Sequence, residues 1–162
     1  MTLGFSTKIK GKPTQFCEKI WQSFSDDFTH NHFTDYCDGF DKVGYQWNVN
    51  AIDLLPKRHS LREDVHDKWK AGNNIHFVIN NRTPIRFQFA PVIPCISTQE
   101  IQIIHGLKRD KQAFVSVNGK VLRVSQIEEL AMNDGFDSIQ DFFSWFNQDF
   151  NGKIIHWTNL KY

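Results

Sequence analysis

Apolar residues recur along this chain with two periods, and the change of period marks its elements. Phe16, Ile20 and Phe24 stand four apart with Cys17 and Trp21 beside them, which predicts one amphipathic helix opened by Pro13-Thr14. Ile75, Phe77 and Ile79 alternate with His76, Val78 and Asn80, the period of a strand. Arg86–Phe89 and Ile101–His105 read as further strands, separated by the Pro91/Pro94 segment. Phe114–Val117 and Lys120–Val124 flank Asn118-Gly119, which predicts a type I′ β-hairpin. Ser125 with Glu128 predicts a capping box, and Ile127, Leu130 and Ala131 line one face of the helix that follows. Gly135 stops that helix, a second one carries Ile139, Phe142, Phe143 and Phe146, and a last strand follows at Ile154–Thr158.

Elsewhere the pattern is weaker. Residues 2–12 read as an exposed strand or arm, and 25–50 as an irregular excursion with one short strand at Gly44–Val49. Residues 57–70 are too charged to be expected in a core, and Ala71–Asn74 is a turn. About five to seven strands and three helices result, with strands joined by hairpins and not alternating with helices. The expected class is α+β, one domain with a mostly antiparallel sheet able to close on itself.

Composition adds two constraints. The formal net charge is only +1, which excludes a polybasic nucleic-acid coat but not a local basic patch. Bases dominate 51–90 (Lys57, Arg58, Arg62, Lys68, Lys70, Arg82, Arg86), whereas 125–150 holds acids and no Lys or Arg. Aromatic residues reach 14%, enough to build a core from rings, with some to spare for stacking on a base. Three widely spaced cysteines, Cys17, Cys37 and Cys95, do not form a disulfide framework. With no secretory pattern at the start and no run near the roughly 18 apolar residues that cross a bilayer, a cytoplasmic protein away from membranes is expected.

Candidate chemistry gathers in Lys57-Arg-His-Ser-Leu-Arg62. If this segment is extended, Arg58, Ser60 and Arg62 share one face and His59 and Leu61 the other. A lysine three residues before a hydroxyl can act as its base when burial and neighbouring cations lower its proton affinity. Arg62 can grip a phosphate or a carbonyl as a rigid fork. The competing interpretation is an exposed basic loop. His30, His32 and Cys37 are metal-ligand types in no standard spacing, so no metal and no cofactor is expected. His76, His105 and His156 fall in strands and read as satisfied scaffold residues.

Lys57-x-x-Ser60-x-Arg62, the Trp69-Lys-Ala-Gly72 turn, Ile127-Glu-Glu-Leu-Ala-Met-Asn-Asp-Gly-Phe-Asp-Ser138, Asp141–Phe146 and Gly152–Trp157 together resemble the ASCH family, including ASCH-like proteins carried by phages and prophages. The resemblance covers roughly residues 55–160 and leaves 1–54 as an N-terminal elaboration of a single domain. It implies a PUA-like β-barrel flanked by about three helices, and recognition of RNA or a modified nucleoside. Arg58, Arg62, Trp69, Lys70 and Arg82 would be the binding residues, with Trp69 or Phe136 stacking on the base.

One branch of the family removes the acetyl group from N(4)-acetylated cytidine with a Lys, a Thr three residues on, and a later Glu. By motif these fall on Lys57, Ser60 and Asp134, both departures keeping the chemical type. The implied amidohydrolase would use Lys57 as base, the Ser60 oxygen or a water as nucleophile, and Arg62 or a backbone N–H at the oxyanion. Asp134 would orient Lys57 or protonate the leaving amine. A binding module without catalysis, and a phage protein-interaction module using residues 1–54, are the alternatives.

Overall fold

A computed structural model describes residues 1–50, 53–106 and 113–162. The chain divides into two compact units, each assembled from two stretches: Met1–Lys57 with Asn74–Pro94, and Arg58–Asn73 with Cys95–Tyr162. In chain order the elements begin with strands β1 (Thr2–Phe5), β2 (Lys8–Ile9) and β3 (Lys12–Pro13). Helices α1 (Phe16–Trp21), α2 (Asp26–His32) and α3 (Thr34–Lys42) follow. Next come β4 (His59–Arg62), β5 (Asn74–Ile79), β6 (Phe87–Gln88), β7 (Ile93–Pro94) and β8 (Ser97–His105). The chain finishes with β9 (Ala113–Val117), β10 (Lys120–Val121), α4 (Val124–Asn133), α5 (Ile139–Trp145) and β11 (Phe150–His156).

In the first unit β5 is the central strand. β1 lies parallel to it, with Leu3 opposite Phe77, and β6 and β7 pair with it antiparallel. Ile75, Phe77 and Val78 are fully buried, as a strand covered on both faces requires. Phe77 meets Phe5, Phe24 and Phe89 at centroid distances of 6.1, 6.0 and 6.1 Å. Every residue of α1 is buried, and the Trp21 indole N–H donates to the Phe89 carbonyl at 2.9 Å.

The exposed arm expected at residues 2–12 is thus replaced by a core strand, β1, and a small β2–β3 hairpin. The helix starts at Phe16, after Pro13 has served in β3. The irregular excursion at 25–50 contains two short helices instead, and Gly44–Val49 is not a strand. Ser25 caps α2 by accepting from the Phe28 N–H at 3.3 Å, and Asp26 and Asp27 occupy its positive end. The expected elaboration, residues 1–54, includes positions 51 and 52, which lie outside the described residues.

The second unit is an antiparallel sheet in the order β10-β9-β8-β11-β4, with α4 and α5 packed together. The Asn118-Gly119 turn has φ of 49° and 76°, the two left-handed residues that a type I′ hairpin demands. In β8, Gln99, Ile101 and Ile103 turn inward while Glu100, Gln102 and Ile104 face out. Phe142, buried completely, meets Phe136 and Phe146 at 5.6 and 4.9 Å. The helix α4 begins one residue before the expected cap, so Gln126 does the work expected of Glu128: its Oε1 accepts from the Arg123 N–H at 2.9 Å.

The α+β class and the mainly antiparallel pairing agree with the expectation from sequence. Among the described residues there are five helices, not three, and each sheet is open, with β4 and β10 forming the edges of the larger one.

Candidate functional site

The charged segment 57–62 is not an exposed loop. His59 to Arg62 form the edge strand β4 on β11, and His59, Ser60 and Leu61 are all buried. Residues opposite each other in an antiparallel ladder share a face. His59, His156 and Ser97 therefore form one row across β4, β11 and β8, with Leu61, Ile154 and Gln99 in another row on the same face. Ser60 shares the opposite face with Ile155 and Thr98, and Arg62 shares it with Lys153 and Glu100.

On the His59 face lies a buried polar network. The Arg58 N–H donates to the Asn133 carbonyl at 2.8 Å and ties the start of β4 to the end of α4. Asp134 is thereby set with Oδ1 3.8 Å from His59 Nδ1. Asn133 Nδ2 donates to the Tyr162 hydroxyl at 3.1 Å, and that hydroxyl lies 2.8 Å from His59 Nε2. A hydroxyl that accepts from Asn133 has its proton left for His59 Nε2, which assigns the His59 proton to Nδ1, facing the Asp134 carboxylate. Tyr162 is held from both sides by Gln99, whose Nε2 donates to the Tyr162 carbonyl at 2.8 Å and whose Oε1 accepts from the Tyr162 N–H at 3.0 Å.

Burial dominates the electrostatics. It raises the Tyr162 phenol above its ordinary range, with Asn133 opposing and Glu129 and Asp134 adding to the rise. It lowers the Arg62 guanidinium, and Asp134 pulls in the opposite direction. His156 is fully buried, and burial with the Lys161 charge brings its imidazole down to about 4. Among the described residues neither ring nitrogen of His156 has a hydrogen-bond partner, so this histidine is not the satisfied scaffold residue expected from sequence. His76 and His105 do have partners, Gln88 at 2.9 Å and the Phe146 carbonyl at 2.8 Å.

The other predicted residues separate clearly. Lys57 closes the first unit at 2% exposure. Its N–H donates to the Lys19 carbonyl at 2.8 Å, and its ammonium lies 4.9 Å from the Phe16 ring centroid and 5.8 Å from that of Phe5. Trp69 is buried at 5% exposure and is a packing ring, with little surface for a base. Its N–H donates to Asp64 at 2.8 Å and its carbonyl accepts from Lys153 at 3.0 Å. Phe136 is likewise a core ring. Arg58, Lys70 and Arg82 are exposed; Lys70 pairs with Asp67 at 3.5 Å, and Arg82 borders a shallow groove of the first unit with Gly4–Lys8.

Residue periodicity passed over His59, Asn133, His156 and Tyr162. The available signal was a histidine inside an otherwise apolar run, as in Ile154-Ile-His-Trp157. Among the described residues no group of three or more His, Cys, Asp or Glu could hold a metal ion; His30 is exposed, and His32 is half-buried against the Phe28 ring at 4.7 Å. No helix of the described residues is long and apolar enough to cross a membrane. Comparison with protein-family models, curated proteins and solved structures returned no match to this chain.

Proposed function

We propose that this protein recognises a nucleoside, free or within RNA, on an ASCH-like scaffold of the PUA type. The observation that carries the reading is the burial of the three motif residues: Lys57, Ser60 and Asp134 are 2%, 2% and 3% exposed. Burying a charged or hydroxyl side chain costs free energy, so a surface basic loop would leave them in water. Arg58, Lys68, Lys70 and Arg82, by contrast, remain in water, where each suits a phosphate contact.

The same burial favours a second reading, hydrolysis of an N(4)-acetylcytidine-type amide. Water would add across the C–N bond to give acetate and the free 4-amino group. Lys57 would take the proton from the attacking oxygen and return a proton to the leaving amine. The test is release of acetate from N(4)-acetylcytidine, followed by the same assay on Lys57→Met, which keeps the stem that packs on Phe5 and Phe16. Hydrolysis predicts turnover that falls at least about a hundredfold in the variant; unchanged turnover removes Lys57 from the chemistry. Recognition without catalysis predicts retention of a single-stranded RNA oligonucleotide that weakens steeply with salt and with loss of Arg58 or Lys70. A protein that neither turns over the nucleoside nor retains the oligonucleotide ends both readings.

A further inference from the structure

The first unit holds a second cavity with a chemistry of its own. Trp21, Phe24, Phe33 and Trp47 line a space of about 630 Å³ together with the acidic residues Glu18 and Asp26. Phe33 meets Trp21 at 5.1 Å and 82°, and Trp47 at 4.8 Å and 54°. Trp21 also meets Phe24 at 5.5 Å and 82°. Rings in edge-to-face and tilted contact turn their faces in different directions, unlike a flat stack. The lining is rigid on one side, because the Trp21 indole is fixed by its bond to the Phe89 carbonyl at 2.9 Å. Glu18 is rigid too: it is 1% exposed and accepts from the Tyr45 hydroxyl at 2.6 Å and the Asn48 N–H at 2.9 Å.

The sign of the lining selects the ligand. Aromatic faces carry a negative quadrupole, and two acidic residues, Glu18 and Asp26, belong to the same lining. The described lining contains no Lys or Arg, and its donors His30, Gln22 and Thr29 stand beside two acidic residues, a poor setting for a phosphate. A purely apolar ligand would gain nothing from a buried carboxylate. We infer that this cavity binds an alkylated ammonium, the group carried by choline or by a methylated lysine side chain.

The experiment compares choline with its neutral isostere 3,3-dimethylbutanol, following the tryptophan indole and aromatic resonances of the full chain by NMR. Choline is expected to shift these signals saturably, and at least about tenfold more tightly than the alcohol. Trp47→Leu, which keeps an apolar wall but removes the π face, should abolish the preference; its melting temperature shows whether the fold is kept. Asp26→Asn, on an exposed position, should weaken choline by about two- to threefold if the site reads charge. A trimethyllysine peptide binding tighter than choline assigns the source to a protein tail, and the reverse assigns it to a small molecule. Equal binding of the alcohol, or no shift with choline to about 100 mM, overturns the inference.

Discussion

The interior of the first unit is built mainly from rings, Phe5, Phe16, Trp21, Phe77 and Phe89, while the second buries His59, Ser60, Gln99, Asn133, Asp134 and His156 among its aliphatic and aromatic residues. Charged residues occur in the first core as well, Glu18, Lys19 and Lys57, but Glu18 accepts from a hydroxyl and a backbone N–H and the Lys57 ammonium lies over the Phe16 ring. The second core carries a histidine whose ring nitrogens have no hydrogen-bond partner among the described residues. A core of rings gains free energy from area and does not titrate. A core laced with imidazole and carboxylate loses some of that gain and becomes sensitive to protons, which is the usual condition of a site.

Three measurements can break or sharpen this contrast. The largest effect is expected from Phe77→Ala, which empties the centre of the ring core. It should cost about 3–5 kcal/mol, read by denaturant titration and nearly independent of pH. A loss below about 1 kcal/mol would mean that the rings do not act as one core.

Next comes the proton sensitivity of the second unit. His156 has a folded pKa near 4 against an ordinary 6.5, so the unfolded chain binds its proton first. The stability from burying it neutral is complete above about pH 6.5 and is lost as pH falls toward 4. The expected loss across that window is about 3 kcal/mol, and His156→Leu should flatten it. An unchanged pH slope in the variant would place the proton uptake elsewhere.

The smallest effect concerns the Asp64 turn. Burial pushes this carboxyl up, but the Trp69 and Lys68 N–H groups and Lys153 outweigh it and hold it below its ordinary 3.8. Its contribution is therefore complete above about pH 4 and lost as pH falls through the lowered value. Asp64→Asn should remove only the part of the acid sensitivity that lies below the His156 window. If the variant instead changed stability at pH 7 by more than about 2 kcal/mol, the turn would be a larger structural element than one hydrogen-bonded carboxylate with its side chain 6% exposed accounts for.

Much of the fold was legible because local rules decide it. Asn118-Gly119 can accept two left-handed residues cheaply, so the β9–β10 hairpin follows from two letters. The period of Phe16 and Ile20 marks α1, which is buried on every side, and the apolar face of Ile127, Leu130 and Ala131 fixes which side of α4 turns inward. Residues 25–50 were not legible, because helices of seven and nine residues have too few turns to show a period and are held by tertiary contacts. At the candidate site the sequence by itself determined the residue types and their spacing, Lys57-x-x-Ser60-x-Arg62, and marked Asp134 after α4. Only the tertiary structure decided that His59–Arg62 is an edge strand with His59, Ser60 and Leu61 buried, that His59 stands beside Asp134 and Tyr162, and that His156 is sealed in. Strand pairing between residues some 95 apart, as between Ser60 and Ile155, sets those neighbours. No local pattern encodes which side chains such a pairing will cover.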